Sequence, residues 1–179
     1  IYSNSFDLID MKKDTFNIAK EIINLASLNK AIIASAESCT GGMLSSAITE
    51  IPGSSAIFEC GFVTYSNNSK MELLSVKENT LNYYGAVSEE AAGEMAIGAI
   101  NNSKASLAIS ITGIAGPGGS NTKPEGMVCF SIAFENEIKL TETKKWGALG
   151  RNIIRQKATL HGLRLSLIHI SEPTRQASI

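Results

Sequence analysis

Histidine is nearly missing from this chain: there are two in 179 residues, His161 and His169. A Ser-His-Asp triad, or a zinc site built on several imidazoles, has almost no material to draw on. His161 sits on a helical stretch and reads as a helix-surface residue rather than a base. Cysteine is scarce and odd in number, with Cys39, Cys60 and Cys129 far apart. The three form neither a disulfide framework nor a metal knuckle, a usage suited to a reducing cytoplasm. No charge dominates, since 16 Lys and Arg face 17 Asp and Glu for a net charge of −1. That balance leaves no electrostatic footprint for nucleic acid and no basic run for a membrane surface. No apolar run is long enough for a signal peptide or a bilayer span. Neither glycine-rich loop continues into Gly-Lys-Ser/Thr, so phosphate transfer from ATP lacks its usual lysine. The expectation is a cytoplasmic chain with no metal and no cofactor.

What is present suits one globular domain with a sizeable core, at 44% hydrophobic content. Asp14 or Thr15 can cap a first helix carrying Phe16, Ala19, Ile22, Ile23 and Ala26 at helical spacing. Residues 31–36 read as a buried strand, and 40–50 as a helix stopped by Pro52-Gly53. Residues 57–65 read as a strand covered on both faces. Ser69 can cap a short helix through Leu74, and Ser88 opens another with Glu89 and Glu90 in its first turn. Residues 105–111 are a further buried strand. Residues 127–134 and 138–146 form a hairpin across Glu135-Asn136-Glu137, and a last helix runs from Ala148 toward Leu165. Helices alternating with strands, then a late hairpin, predict a three-layer α/β/α domain with a mixed sheet. Met11-Lys12-Lys13 would make a natural start, so 1–13 reads as an N-terminal extension and 14–165 as the domain. After Leu165 the helical pattern lapses and Pro173 opposes a helix, so 166–179 reads as a non-native tail without function.

The chemistry-bearing residues fall in a few segments. Glu37-Ser38-Cys39-Thr40-Gly41-Gly42 closes the first strand and opens a helix, which can floor a site for a phosphate or an oxyanion. One such loop alone is more simply read as a helix cap with its turn glycines. Gly53-Ser54-Ser55 follows a helix, and Tyr65 and Lys70 come one strand later. Without histidine, a serine nucleophile needs a lysine whose pKa is lowered by burial or a nearby cation, and a tyrosine hydroxyl can relay the proton. Spacing alone also allows Lys70 as a solvated helix residue and Tyr65 as a core aromatic. Cys39, near a helix start, is a rival nucleophile, although isolated cysteines are commonly small buried hydrophobes. A third segment, Thr112-Gly113-Ile114-Ala115-Gly116-Pro117-Gly118-Gly119, ends another buried strand, where open α/β sheets bind ligands. Lys123 and Arg151 can hold a phosphate or carboxylate, or be ordinary surface charge.

Read in order, these segments form one pattern. Ala36 to Gly42 is followed by Gly53-Ser54-Ser55 with Phe58 and Gly61, Tyr65-Ser66-Asn67 with Lys70, and Gly85-Ala86-Val87-Ser88. Thr112 to Pro117 with Gly119, Lys123-Pro124 and Gly126 comes next, and Arg151 with Arg155 completes it. Over residues 14–165 the chain resembles the CinA C-terminal domain family, whose members also occur alone as nicotinamide-nucleotide amidohydrolases. It departs at Glu125, where the family pattern has an apolar residue, and at residues 146–150 before Arg151. The resemblance implies hydrolysis of the carboxamide of nicotinamide mononucleotide to nicotinate mononucleotide and ammonia. Ser55 would be the nucleophile, Lys70 its base and Tyr65 an assisting hydroxyl. Glu37, Ser38, Cys39, Thr40, Gly41, Gly42, Thr112, Gly113, Gly116, Lys123 and Arg151 would line the nucleotide pocket. It further implies an α/β/α domain with a five- or six-stranded mixed sheet, assembled as a dimer or higher oligomer. The alternative is a non-catalytic nucleotide-binding or regulatory domain of a larger protein, and a thiol hydrolase built on Cys39 is a third reading.

Overall fold

The computed structural model describes residues 3–176, with side chains described over 8–171. Its elements are α1 (Ser3–Asn29), β1 (Ile33–Glu37), α2 (Met43–Thr49), a 3-10 turn (Ser54–Ala56), β2 (Phe58–Val63), α3 (Asn67–Leu74), α4 (Glu78–Tyr83), α5 (Glu89–Asn101), β3 (Leu107–Gly113), β4 (Met127–Phe134), β5 (Glu137–Lys145) and α6 (Arg151–Gln176). The sheet has five strands in the order β2-β1-β3-β4-β5. β1 pairs in parallel with β2 and β3, while β4 and β5 add antiparallel strands. The expected mixed sheet between two helical layers is the architecture observed. Glu135 and Asn136 both take positive φ, the two-residue turn that matches strand twist and closes the β4–β5 hairpin.

Side-chain alternation along β1 divides the layers. Ile33 packs into a core with residues of α1, α2 and α6, including Ile22, Leu44, Ile48 and Ile154. Ala34 and Ala36 point the other way, against Leu74, Leu81, Met95 and Ala96 of α3, α4 and α5. Each of these larger aliphatic side chains, once buried, stabilises the fold by about 2 kcal/mol. The small residues of α5 let it approach closely: a Cβ on Gly98 would collide with the Leu74 carbonyl. In register, Glu37 lies level with Val63 on one side and Ile111 on the other. The carboxyl ends of β2, β1 and β3 therefore open together at one end of the sheet.

Several elements differ from expectation. The first helix begins at Ser3 rather than at a cap on Asp14 or Thr15, and crosses the expected boundary at residue 13; Thr15 Oγ1 donates to the Met11 carbonyl at 2.7 Å within it. Continued i→i+4 backbone bonding outweighs the capping preference of a threonine in mid-helix. β2 is an edge strand with alternating exposure, not a strand covered on both faces. The short helix α4 carries too little apolar periodicity to be read from sequence. α6 runs through residues 166–176 instead of stopping at 165. Ser166 is fully buried with its hydroxyl on the Gly162 carbonyl, and Ile170 packs in the core while its carbonyl accepts from Asn29 Nδ2. Packing against α1 thus sustains a helix that local pattern does not. Residues 177–179 of the expected tail lie outside the described residues. Among the described residues, no helix is long and apolar enough to cross a membrane.

The close α3–α5 approach gives a stability prediction. Gly98→Ala should lower the unfolding free energy by about 3 kcal/mol through overpacking, measured by urea denaturation at unchanged m-value.

Candidate active site

The last residue of β1 organises this end of the sheet. Glu37 is fully buried and faces α2. Its carboxylate accepts from the N–H groups of Gly42, Leu44 and Ser45 at 3.0, 3.1 and 2.9 Å. It also accepts from the Ser45 hydroxyl at 2.7 Å and the Ser35 hydroxyl at 3.3 Å. The helix-start amides expected to receive a ligand anion are therefore already spent on an internal carboxylate. Glu37, expected to line the pocket, is the cap of α2, which has no side-chain cap of its own. Gly41 and Gly42 have φ of 61° and 96°, left-handed values that let the loop turn back over the carboxylate.

Strand alternation sends the next side chain, Ser38, to the opposite face. Its backbone N–H is held by the Ile111 carbonyl at 2.9 Å. There it meets Lys70, which is 1% exposed. Lys70 Nζ donates to Ser38 Oγ at 3.1 Å and to the Thr64 carbonyl at 2.7 Å. A capping box of Ser66 and Ser69 fixes the start of α3 and so the place of Lys70 in its first turns. Desolvation pushes the Lys70 ammonium down from 10.5 to about 8. Cys39, beside Ser38, is a poor rival. Burial first, and the nearby Glu37 carboxylate, push its thiol up to about 12, against the expectation of a helix-favoured thiolate.

Tyr65 and Arg151 stand at the rim. Arg151 donates to the Tyr65 hydroxyl at 3.0 Å and to the Gly116 carbonyl at 2.9 Å, so one guanidinium ties the β2 end to the loop after β3. Tyr65 is exposed, not a core aromatic. The Thr112 hydroxyl is turned away onto the Ala86 carbonyl at 2.7 Å. Gly113 and Gly116 are close-approach positions: a Cβ would strike Val128 at the first and Glu125 at the second. Glu125 accepts from the Gly118 N–H at 2.6 Å and so folds its own loop. Lys123, in that loop, has no side-chain partner among the described residues.

Ser55 is not part of this cluster. It is exposed, in the 3-10 turn that enters β2, where the Ile57 carbonyl accepts from Ile33 at the start of β1. Lys70 lies past the far end of β2, six strand residues on, or roughly 20 Å at about 3.3 Å each. The expected Ser55–Lys70 pair is thereby corrected: the hydroxyl that the lysine meets is Ser38. Arg155, part of the sequence pattern but given no role, donates from α6 to the carbonyls of Cys39 and Thr40 at 3.0 and 2.9 Å. No acidic partner in sequence marked it.

The model of the CinA C-terminal domain family matches residues 15–169. This chain belongs to that family. A nicotinamide-nucleotide amidohydrolase PncC from Enterobacter agglomerans is 48% identical over 136 residues, covering 75% of this chain and 82% of the relative. The protein of that name from Escherichia coli K12 is 42% identical over 152 residues, covering 84% and 92%. Among solved structures, the competence/damage inducible protein CihA of Agrobacterium tumefaciens superposes with TM-score 0.84 at 41% identity, over 88% of this chain and 96% of that one. The CinA superfamily protein KP700603 of Klebsiella pneumoniae gives 0.85 at 28% identity, over 88% and 98%.

In this CinA C-terminal domain the buried cation and the buried carboxylate each have a measurable signature. Lys70 binds its proton less tightly when folded than when unfolded, so below about pH 8 the folded state carries the full cost of a buried charge. That cost fades between about 8 and 10.5. The wild-type chain should therefore gain stability relative to Lys70→Met across that window, in thermal melts taken pH by pH. Glu37→Gln should lower stability by about 2 kcal/mol, because an amide N–H₂ is turned on backbone donors, read by chemical denaturation.

Proposed function

We propose that this chain hydrolyses the carboxamide of nicotinamide mononucleotide, giving nicotinate mononucleotide and ammonia, with Ser38 as nucleophile and Lys70 as base. The contact that carries the reading is Lys70 Nζ on Ser38 Oγ, buried at the carboxyl ends of the strands. Once neutral, the lysine keeps one N–H on the Thr64 carbonyl and turns its lone pair to the serine hydroxyl. Ser38 Oγ then attacks the amide carbon as its proton passes to Nζ. The ammonium returns that proton to the departing nitrogen, which leaves as ammonia, and a nicotinoyl ester remains on Ser38. Water, deprotonated by Lys70, adds to the ester carbon, and its collapse frees the carboxylate and restores the serine.

Tyr65 and Arg151 at the mouth, with the 112–119 loop, suit the nucleotide portion of the substrate, and Arg151 and Lys123 suit its phosphate. Names borne by the relatives from Enterobacter agglomerans and Escherichia coli support this substrate class. The open edge of β2 supports assembly of two or more copies, and three free cysteines suit a reducing cytoplasm. A second reading, a non-catalytic nucleotide-binding domain, draws on relatives such as the CinA-like protein of Chloroherpeton thalassium, of which the match spans 24%.

Ammonia release from nicotinamide mononucleotide by the purified chain separates the two readings: nucleotide binding without turnover would favour the second. Ser38→Ala and Lys70→Met should each reduce kcat/KM on the order of 10⁴-fold. Ser55→Ala should keep kcat within about tenfold of wild type; its complete inactivation would return the nucleophile to Ser55. The rate should rise with pH through about 8 and then level, as Lys70 gives up its proton.

A further inference from the structure

Arg155 spends its charge in an unusual way. It is half-buried on α6, and none of the ion pairs among the described residues includes it. Instead Nε donates to the Cys39 carbonyl at 3.0 Å and Nη2 to the Thr40 carbonyl at 2.9 Å, gripping two successive peptide groups of the loop after Ser38. In a trans peptide the C=O and the N–H point in opposite directions. With the Cys39 carbonyl drawn toward α6, the N–H of Thr40 in the same peptide plane is turned away from α6, whose layer is the one opposite α3 and Lys70. The Thr40 carbonyl is drawn the same way, and the Gly41 N–H of that plane turns back onto the Ser38 carbonyl at 3.1 Å.

Two donors on Thr40 are left over. Among the described residues its backbone N–H donates to no carbonyl, and its hydroxyl, on a residue that is fully buried, has no partner either. These are not the amides of the α2 start, which Glu37 consumes. The Thr40 N–H lies two residues beyond the serine that Lys70 contacts. A charge-assisted bond on the carbonyl of a peptide also polarises its N–H and strengthens it as a donor.

We infer that Arg155 is a positioning residue that aims the Thr40 N–H at the carboxamide oxygen as that oxygen becomes anionic. This rests on the deamidation reading and adds to it the means of stabilising the tetrahedral intermediate. A fixed backbone donor of this kind, aimed at developing charge, is worth about 10²- to 10³-fold in kcat.

The test compares wild type with Arg155→Met and Arg155→Lys, first checking by circular dichroism that each is folded. Steady-state rates on nicotinamide mononucleotide are measured, with dissociation constants for nicotinate mononucleotide and for the matching pyridine-3-carbaldehyde nucleotide, which adds to a serine as a hemiacetal. Arg155→Met should lose about 10²-fold in kcat while KM and product affinity stay within about threefold. Affinity for the aldehyde should fall in proportion to kcat, and Arg155→Lys, which can hold one carbonyl, should fall between. A loss confined to KM and product affinity, or an unchanged kcat, overturns the inference and leaves deamidation intact. Wild type that releases no ammonia sinks the deamidation reading instead. The inference then still faces the Thr40 amide resonance, which must move downfield when the aldehyde adds to wild type and not when it adds to Arg155→Met. A Thr40 amide that does not respond in wild type overturns it.

Discussion

The buried carboxylate of Glu37 is the constraint from which the rest of the site follows. Five donors converge on it, and three are backbone N–H groups at the start of a seven-residue helix that lacks any other cap. A helix that short gains little from its own hydrogen bonds, so its position depends on what holds its first turn. Because Glu37 is the last residue of β1, the carboxylate also fixes where the strand ends and how the loop leaves it. The side chain immediately after must then point to the other face of the sheet, and that side chain is Ser38.

On that face the chemistry depends on removing water from an amine. Among the described residues Lys70 has no acidic partner; it has a serine hydroxyl and one carbonyl. Desolvation dominates its proton affinity and outweighs what the two acceptors restore to the charged form. The result is an amine that is partly neutral near pH 8, held against an alcohol, in a chain with almost no imidazole. A fold that buried Lys70 less completely would leave an ordinary ammonium beside Ser38.

The two arginines of α6 divide the remaining work by what they reach. Arg151, at the exposed first turn, bridges the β2 end and the loop after β3. Arg155, one turn further and half-buried, holds the loop after β1 by its carbonyls. A four-residue step on one helix thus brings two guanidinium groups to two different strand ends, and α6 itself is held in place by its packing on α1 and the sheet. The loops that carry the site are set from behind by a helix as well as by their contacts with one another.

By itself the sequence determined the three-layer mixed sheet, the hairpin joined within Glu135-Asn136-Glu137, the helix start at Ser88 and the gathering of hydroxyl- and glycine-rich loops at strand ends. Periodicity, capping residues and turn chemistry act over a few positions and are legible there. The opposite facing of Glu37 and Ser38 came from β1 running to Glu37, one residue past the strand end read from sequence. Only the tertiary structure decided which hydroxyl Lys70 meets. Ser55 and Ser38 are both serines in small-residue loops, but one enters β2 and the other leaves β1, and parallel pairing puts those two points at opposite ends of the sheet. The long α1 and the extended α6 were likewise settled by mutual burial, as at Ile170, which local pattern does not encode. Chain distance measures neither strand direction nor burial, and these two quantities set a desolvated lysine beside one particular serine.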